Sequence, residues 1–252
     1  MENTLKMFFT SLFSANLITK TLAKDIQYIA STNSTNDKIW DMYSNNKINL
    51  GGILISEEQL DGRGRRNNVW HSSIGKSLTF SFIIDSESII SEIISLCCGV
   101  GIVNGIKEFT QLECSLKWPN DIMFNNHKIG GILIEKKKDL LIVGIGINVN
   151  DANFNSEISD KASSLKKILN HSVQREPLLA YILNNIEKMF NANNNIVINM
   201  WLSLCNHINK NINLYRSNNK IIKAEFITIN NNGEAILNIN GKKETIQSGF
   251  IQ

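Results

Sequence analysis

The sequence predicts an α+β fold, in which a larger domain of strands and helices is followed by a small all-β domain. Apolar segments of strand length recur between residues 50 and 148, apolar residues at helical spacing occur in two places, and from about Asn211 the pattern changes to short strands. A chain of 252 residues can bury a substantial core in one large and one small domain. We therefore expect domains at 1–209 and 210–252.

The first two strands are predicted at residues 50–56 and 77–84, which are short, apolar and rich in β-branched or aromatic side chains. A run of arginines at 62–66, called the arginine loop below, connects them. A helix follows, because apolar residues recur at gaps of four, three, four and three and so share one face. The residues of that face are Ile89, Ile93, Leu96, Val100 and Val103.

Three more strands are predicted at residues 113–117, 128–135 and 140–148. A second amphipathic helix begins after Pro177, and a third, at 197–204, ends the large domain. In the small domain, an Asn-Asn-Gly segment at 231–233 and an Asn-Gly pair at 240–241 are turn signals. These turns predict a small β-barrel, although the pattern alone is equally consistent with a meander.

Charge and cysteine content limit the possible functions. The net charge is only +3 and 19% of residues are charged, so no whole-molecule field favours nucleic acid or an anionic membrane, and an anion site must be local. Four cysteines lack zinc or disulfide spacing, which is typical of a reducing compartment. The N-terminal apolar run is too broken for a signal peptide, and we expect no stretch long enough to span a bilayer. We expect a cytoplasmic protein.

The arginine loop has the composition of an anion site. Gly62 and Gly64 remove side chains where the backbone turns or approaches a ligand, and Arg63, Arg65 and Arg66 supply planar donors for carboxylate or phosphate oxygens. An isolated arginine run is more often a solvated loop or a nucleic-acid patch. Trp70 follows closely, without the aromatic and basic alternation that tracks a nucleic-acid strand, and this combination favours a small anionic ligand.

A second run, Lys117-Trp118-Pro119-Asn120-Asp121, is more specific. Pro119 biases Trp118 towards an extended conformation, so a strand leads into a rigid turn. The side chains of Asn120 and Asp121 can fix this turn, bind a magnesium ion, or do both. The alternatives are that Asn120 is an ordinary turn residue and that Trp118 belongs to the core.

Lys128 follows eleven residues after Lys117 and precedes paired glycines, Gly130 and Gly131, in an apolar strand. The missing side chains allow a ligand or a neighbouring backbone to approach closely there. Together these segments resemble biotin protein ligases in order and spacing, strongly over residues 25–150 and weakly beyond. The matching positions are 31–33, Gln59, 62–66, Trp70, 117–121, Lys128, 130–131 and 144–148.

The resemblance implies a class II aminoacyl-tRNA-synthetase-like catalytic domain, with a mixed sheet and helices, and a C-terminal SH3-like β-barrel. It implies that Lys128, Arg63 and Arg65 are catalytic. The biotin-binding residues it implies are Ser31, Thr32, Asn33, Gln59, Arg63, Gly64, Arg65, Lys128 and Gly131. The implied ATP and adenylate contacts are Arg63, Arg65, Trp70, Asn120, Asp121, Lys128 and Asn148, with Asp121 also the candidate metal ligand.

The sequence departs from the family pattern in two places. Residues 34–36 repeat the Ser-Thr-Asn of residues 31–33, and we expect the first copy to line the site because apolar Tyr28 and Ile29 precede it as a strand end should. After Arg66 the chain continues with Asn67-Asn68-Val69 instead of glycine and further basic residues, so no pyrophosphate contact is assigned to 67–69.

The implied activity is ATP-dependent attachment of biotin, through biotinyl-5′-AMP, to a lysine of a biotin carboxyl carrier protein of acetyl-CoA carboxylase or a related carboxylase. ATP, biotin and Mg²⁺ are the implied substrates and cofactor. A homodimer is a possible assembly, and no membrane partner is expected. Arginine side chains and Lys128 would stabilise the charge that develops on the phosphate.

Three alternative functions are weighed against this one: a related enzyme, a DNA-binding repressor and a nucleotide-binding module. A lipoyl or octanoyl transferase resembles this family in fold, but lacks the paired arginine-loop and Trp-Pro-Asn-Asp pattern. A DNA-binding repressor needs two packed helices before the catalytic domain, and only about thirty residues precede Ser31, so no DNA partner is expected. A nucleotide-binding module would use the glycines at 99–105, but these lie within the predicted helix and miss the dinucleotide spacing.

Overall fold

A computed structural model describes residues 8–86, 91–215 and 221–251. It contains a seven-stranded mixed sheet and a separate five-stranded antiparallel sheet. The strands of the large sheet are β1 Ile26–Thr32, β2 Ile53–Gln59, β3 Leu78–Asp85, β4 Ser115–Lys117, β5 Asp121–Phe124, β6 His127–Lys137 and β7 Leu140–Ile147. The strands of the small sheet are β8 Lys210–Tyr215, β9 Ile221–Ile229, β10 Ala235–Ile239, β11 Lys242–Ile246 and β12 Phe250–Ile251.

The large sheet has the order β1-β2-β3-β7-β6-β5-β4, and every pair is antiparallel except β1 with β2. The helices are α1 Thr10–Asn16, α2 Thr35–Ser44, α3 Ser91–Thr110, α4 Leu165–Leu169, α5 Arg175–Phe190 and α6 Asn194–Leu204. The small sheet has the order β11-β10-β9-β8-β12. This architecture confirms the predicted fold class, and the small sheet is consistent with an SH3-like domain.

Helix α3 is the core helix and packs against α5 and α6. Gly101 and Gly105 allow this packing, because a Cβ at either position would lie 2.6 Å from the Cα of Ile186 or Ile182 on α5. The glycines therefore serve close helix packing, which argues against the nucleotide-loop alternative. Of the predicted apolar face, Ile89 lies outside the described residues, and the other four are buried.

The expectation that no stretch is long enough to span a bilayer is wrong for α3 by length and composition. Within the described residues, the 18-residue segment Ile93–Thr110 is long and apolar enough, by length and composition, to cross a membrane. However, 67% of that segment is buried inside the fold. Its apolar character is explained by its place between the sheet and two other helices, which is usual for the core helix of a compact domain.

The small sheet packs directly on the Trp-Pro turn. Trp118 is buried, its Nε1 donates to the carbonyl of Gly233 at 3.2 Å, and its ring lies 6.4 Å from that of Phe226. The segment between α6 and β8 also pairs with β4, because the amide of Asn206 donates to the carbonyl of Leu116 at 3.3 Å. The motif that begins at Lys117 is therefore supported by the C-terminal sheet.

Candidate active site

A cavity opens where the arginine loop, the start of α2, strands β5 to β7 and the end of β12 meet. Most of the residues that the sequence singled out line this cavity. They are Gln59, Arg63, Gly64, Arg65, Trp70, Asn120, Asp121, Lys128 and Gly131. Lys117 and Phe250 also line it, and the sequence did not assign either residue to the site.

The structure corrects the choice between the two Ser-Thr-Asn copies. Ser31 and Thr32 belong to β1, and the exposed Ser31 hydroxyl donates to Glu58 at 3.2 Å; the first copy, with Asn33, does not line the cavity. The second copy is buried and lines it, because it forms the N-terminus of α2. The prediction assumed that the strand ends before Ser31. In the structure β1 includes Ser31 and Thr32, so the chain reaches the cavity only at the second copy.

A buried polar network joins the second copy to the sheet. The backbone amide and the hydroxyl of Thr35 donate to Oε1 of Gln59 at 2.8 and 3.0 Å. The Ser81 hydroxyl lies 2.6 Å from Oδ1 of Asn36, whose Nδ2 donates to Glu135 at 2.7 Å. Asn36 lies directly over Gly144, where any side chain would collide with its amide. These neutral amide and hydroxyl groups are held in place by one another and by the Glu135 carboxylate, as a preorganised polar binding site requires.

Two lysines flank one carboxylate at the opposite side of the cavity. Nζ of Lys128 lies 2.5 Å from Oδ1 of Asp121. Lys117 pairs with Asp121 in register across β4 and β5. Burial lowers the pKa of Lys117; the nearby Asp121 raises it, and Lys128 and Lys161 lower it further. With two ammonium groups and one carboxylate, this corner favours a negatively charged ligand.

Backbone contacts fix the position of Lys128. Its amide donates to the carbonyl of Lys161 at 2.7 Å, and its carbonyl accepts from the amide of Ser163 at 3.0 Å. Gly131, on the same strand, leaves room for the lysine, because a Cβ there would lie 3.2 Å from Nζ of Lys128. Asn120 fixes the neighbouring turn, since its Nδ2 donates to the carbonyl of Ile132 at 2.6 Å.

The arginine loop folds back on itself over the cavity. The amide of Trp70 donates to the carbonyl of Gly62 at 2.8 Å, and the amide of Gly64 donates to the carbonyl of Asn68 at 2.7 Å. Gly62 is required here, because a Cβ would lie 2.5 Å from the carbonyl oxygen of Trp70. Arg66 has a left-handed backbone, with φ of 57°, and its guanidinium donates to the carbonyl of Tyr215 at 2.9 Å.

Trp70 forms part of the cavity wall and packs on Gly146, whose missing side chain leaves room for the indole ring. In the part of the chain that the structure describes, its buried Nε1 has no hydrogen-bond partner. A buried donor without an acceptor is costly, so this atom is suited to meet a ligand acceptor.

Besides the first Ser-Thr-Asn copy, the structure places Asn148 outside the cavity. Asn148 is buried outside the cavity, and its Nδ2 donates to the carbonyl of Ser163 at 3.0 Å while its amide donates to Ile129 at 2.8 Å. It therefore holds the segment around Ser163 against β6 and does not line the candidate site. In the segment from Gly144 to Asn148, the asparagine therefore binds backbone, and the two glycines leave room for the side chains of Asn36 and Trp70.

No group of three or more His, Cys, Asp or Glu side chains within the described ranges could hold a metal ion. Asp121 and Asn120 do line the cavity together. A Mg²⁺ ion that arrives with a nucleotide needs only one or two carboxylates besides phosphate oxygens and water. The donor set is compatible with such an ion.

Residues 28–150 match the model of the Biotin/lipoate A/B protein ligase family, and the domain that they form belongs to it. Several similar proteins are named as biotin protein ligases. The bifunctional ligase/repressor BirA of Bacillus subtilis is 32% identical over 166 residues, which cover 62% of this chain and 51% of that protein. A biotin–[acetyl-CoA-carboxylase] ligase of Mycobacterium tuberculosis is 26% identical over 65% of this chain and 63% of that protein.

Among solved structures, a biotin protein ligase from Aquifex aeolicus in complex with biotin and ATP has a TM-score of 0.82 and 26% identity. The match covers 91% of this chain and 98% of that chain. The chain spans only about half the length of several curated relatives, including BirA of Bacillus subtilis.

Proposed function

We propose that the protein is an ATP-dependent biotin–protein ligase that forms biotinyl-5′-adenylate and transfers biotin to a lysine of a carrier protein. The observation that carries the proposal is the meeting of two different environments in one cavity. Neutral hydrogen-bonding groups around Thr35 and Gln59 lie at one side, and the cationic pair Lys117 and Lys128 lies at the other. The similarity to a ligase solved with biotin and ATP supports the same assignment.

The neutral side suits the ureido ring of biotin, which needs both donors and acceptors. In this proposal Thr35, Asn36 and Gln59 contact the ring, with Ser34 beside them, and replace the first Ser-Thr-Asn copy in that role. The valeryl chain then points towards Lys128. Trp70 covers the adenylate, and its unpaired Nε1 donates to it.

In the first step, a carboxylate oxygen of biotin attacks the α-phosphorus of ATP, and the bond to the β-phosphate oxygen breaks to release pyrophosphate. Lys128 stabilises the charge on the reacting carboxylate and phosphoryl oxygens, and Arg63 and Arg65 assist from the loop. In the second step, a carrier lysine amine attacks the acyl carbon, AMP leaves, and the amine loses a proton. The loop keeps water away from the mixed anhydride between the two steps.

We include Mg²⁺ in this proposal as the ion that accompanies ATP. Asp121, with Asn120 beside it, would hold the ion, which neutralises charge on the departing pyrophosphate when it is bound. Asp121 would then exchange part of its contact with Lys128 for the ion.

The carrier and the setting are further parts of the proposal. A biotin carboxyl carrier protein of a carboxylase is the expected acceptor, because a relative is named for acetyl-CoA carboxylase. A cytoplasmic location is supported by four free cysteines, three of them buried. The proposed domain division remains 1–209 and 210–252, supported by the start of the second sheet at Lys210.

The proposal is tested by isotope exchange between ATP and pyrophosphate, with biotin or lipoate as the acid. Exchange that depends on biotin supports the proposed function, and exchange that depends on lipoate would favour the lipoyl alternative within the same family. Absence of exchange with either acid would contradict the adenylation step itself.

Lys128→Ala is expected to abolish measurable biotin-dependent exchange, because removal of one such donor typically raises the barrier by about 2.7–4 kcal/mol. Lys107→Ala is the matched control, since that lysine is exposed and pairs with Glu113 away from the cavity. Undiminished pyrophosphate exchange by the Lys128 variant, with the folded state confirmed by circular dichroism, would remove Lys128 from the mechanism.

A further inference from the structure

The guanidinium of Arg63 points from the arginine loop to helix α2. Its Nη1 and Nη2 donate to the two carboxylate oxygens of Asp37 at 2.6 and 2.8 Å. Nη2 also lies 3.6 Å from Glu135 on β6. Such a two-point contact fixes direction as well as distance, because both groups are planar. The hydrogen bond from Arg63 lowers the pKa of the Asp37 carboxyl, so the pair stays charged through neutral pH.

We propose that Asp37 is a positioning residue that holds the arginine loop closed over the bound adenylate. The inference rests on the proposed function and adds a residue that the sequence did not single out. Asp37 does not line the cavity, so it acts through Arg63, which does. Arg63 then keeps the loop in place in addition to assisting at the reacting oxygens.

The loop is held from two sides. Its internal hydrogen bonds, from Trp70 to Gly62 and from Gly64 to Asn68, give it a shape but do not attach it to the rest of the molecule. Arg63 attaches it to α2 of the large domain, and Arg66 attaches it to the carbonyl of Tyr215 at the end of β8. Loss of the Asp37 contact would leave the side nearest the neutral part of the cavity less firmly closed.

The same helix turn carries the proposed biotin contacts. Asp37 follows Thr35 and Asn36 directly, in the first turn of α2. Glu135 contacts both the proposed biotin site and the arginine loop, because it accepts from Nδ2 of Asn36 at 2.7 Å and lies 3.6 Å from Arg63. A ligand that orders Thr35 and Asn36 thereby also orders the carboxylates that hold the loop.

The pair is also suited to opening. The side chains of Asp37 and Arg63 are 48% and 35% exposed, so solvent and salt weaken their attraction. A buried pair would hold the loop permanently and block entry and release of ligands. A half-exposed one can break and re-form as the ligand exchanges.

The test measures how much adenylate leaves the protein before biotin is transferred to the carrier. Parent, Asp37→Ala and Asp37→Asn are incubated with biotin and Mg-ATP, and serum albumin serves as a bystander protein whose lysines capture released adenylate. Bystander labelling, divided by the rate of pyrophosphate exchange, is expected to rise about fivefold in both variants, the upper range for loss of an exposed ion pair. Asp37→Glu is expected to restore most of the parent ratio. The Asn variant preserves size and decides the test if the Ala variant does not fold.

Asp41→Ala is the matched control, because Asp41 lies on the same helix, is exposed and pairs with Lys38 instead of the loop. It is expected to keep the parent ratio. Raising the salt concentration should increase the ratio in the parent but little in Asp37→Asn. Equal ratios for parent and Asp37→Asn, when the parent catalyses biotin-dependent exchange, would overturn the role of Asp37. A parent without such exchange would instead overturn the proposed function.

Discussion

At the scale of single residues, the chain uses ion pairs in two different environments. Lys128 and Asp121 meet beside the cavity, where Lys128 is 38% exposed and a ligand can replace one partner. Arg175 and Glu57 meet in the interior, where they are 7% and 6% exposed and share two contacts of 2.7 and 2.9 Å. The first pair can rearrange with ligand, whereas the second fixes α5 against β2.

Glu57→Gln is expected to destabilise the protein by about 3–5 kcal/mol, because it leaves the Arg175 charge buried without its carboxylate. Tyr28 would lose its carboxylate partner as well, since its hydroxyl donates to Glu57 at 3.1 Å. Urea unfolding of parent and variant measures the change.

Glu113→Gln supplies the control for this prediction, because Glu113 also pairs with a cation but on the surface. It should leave the unfolding midpoint close to that of the parent. Similar midpoints for the Glu57 variant and the parent would show that the interior pair is not needed for stability.

At the scale of elements, the glycines of β7 decide which parts of the chain reach the cavity. Asn36 occupies the space over Gly144, and Trp70 occupies the space over Gly146. Because β7 has no side chains at these alternate positions, α2 and the arginine loop can both pack on the same face of the sheet. The binding groups come from loops and helix ends, while the sheet supplies the room.

Gly144→Ala is expected to weaken biotin binding, because its methyl group would collide with the Asn36 amide and displace the first turn of α2. Isothermal titration with biotin measures the loss. Removing the amide relieves the collision, so Asn36→Ala and Gly144→Ala together should cost less than the sum of the two single changes. Full additivity would indicate that the glycine does not act through Asn36.

The strands and helices that have strong periodicity were predicted from the sequence. Their observed first residues differ from the predicted ones by up to three positions; β2, for example, begins at Ile53 instead of Leu50. The sequence did not predict α2, although Ile39 and Met42 lie at helical spacing, because the segment is short and the buried residues of its first turn, Thr35 and Asn36, are polar. The choice of Ser-Thr-Asn copy failed for the same reason. Without α2, nothing in the residue pattern indicated that the second copy forms a helix N-terminus over the glycines of β7.

Contacts between residues that are far apart in the sequence were not predicted either. Asp37 and Arg63 are separated by 26 residues, and Trp118 meets Gly233 over a separation of 115. Local patterns fix neither pairing, since each depends on how two elements pack. The motifs whose residues do line the cavity, around Arg65 and Lys128, are those in which residue type and spacing indicate the chemistry within a short segment.

At the scale of the whole molecule, a buried histidine lies at the junction where α6 meets the small sheet. His207 is buried, and its ring lies 4.3 Å from that of Phe226 on β9 and 6.3 Å from that of Trp201 on α6. Burial, together with the smaller effects of the Lys117 and Lys210 charges, lowers the pKa of His207 to about 3. The junction therefore requires the neutral imidazole.

This junction predicts an acid sensitivity of the assembled molecule. The unfolded chain binds a proton at His207 near pH 6.5, whereas the folded chain does so only near pH 3. The stabilisation is therefore complete above pH 6.5 and is lost progressively as the pH falls from 6.5 towards 3, by at most about 1.4 kcal/mol per pH unit. His207→Gln removes the titrating group, so its stability should fall less between pH 6.5 and 5 than that of the parent. Urea unfolding at several pH values measures both slopes, and parallel slopes would show that protonation of His207 does not control the junction.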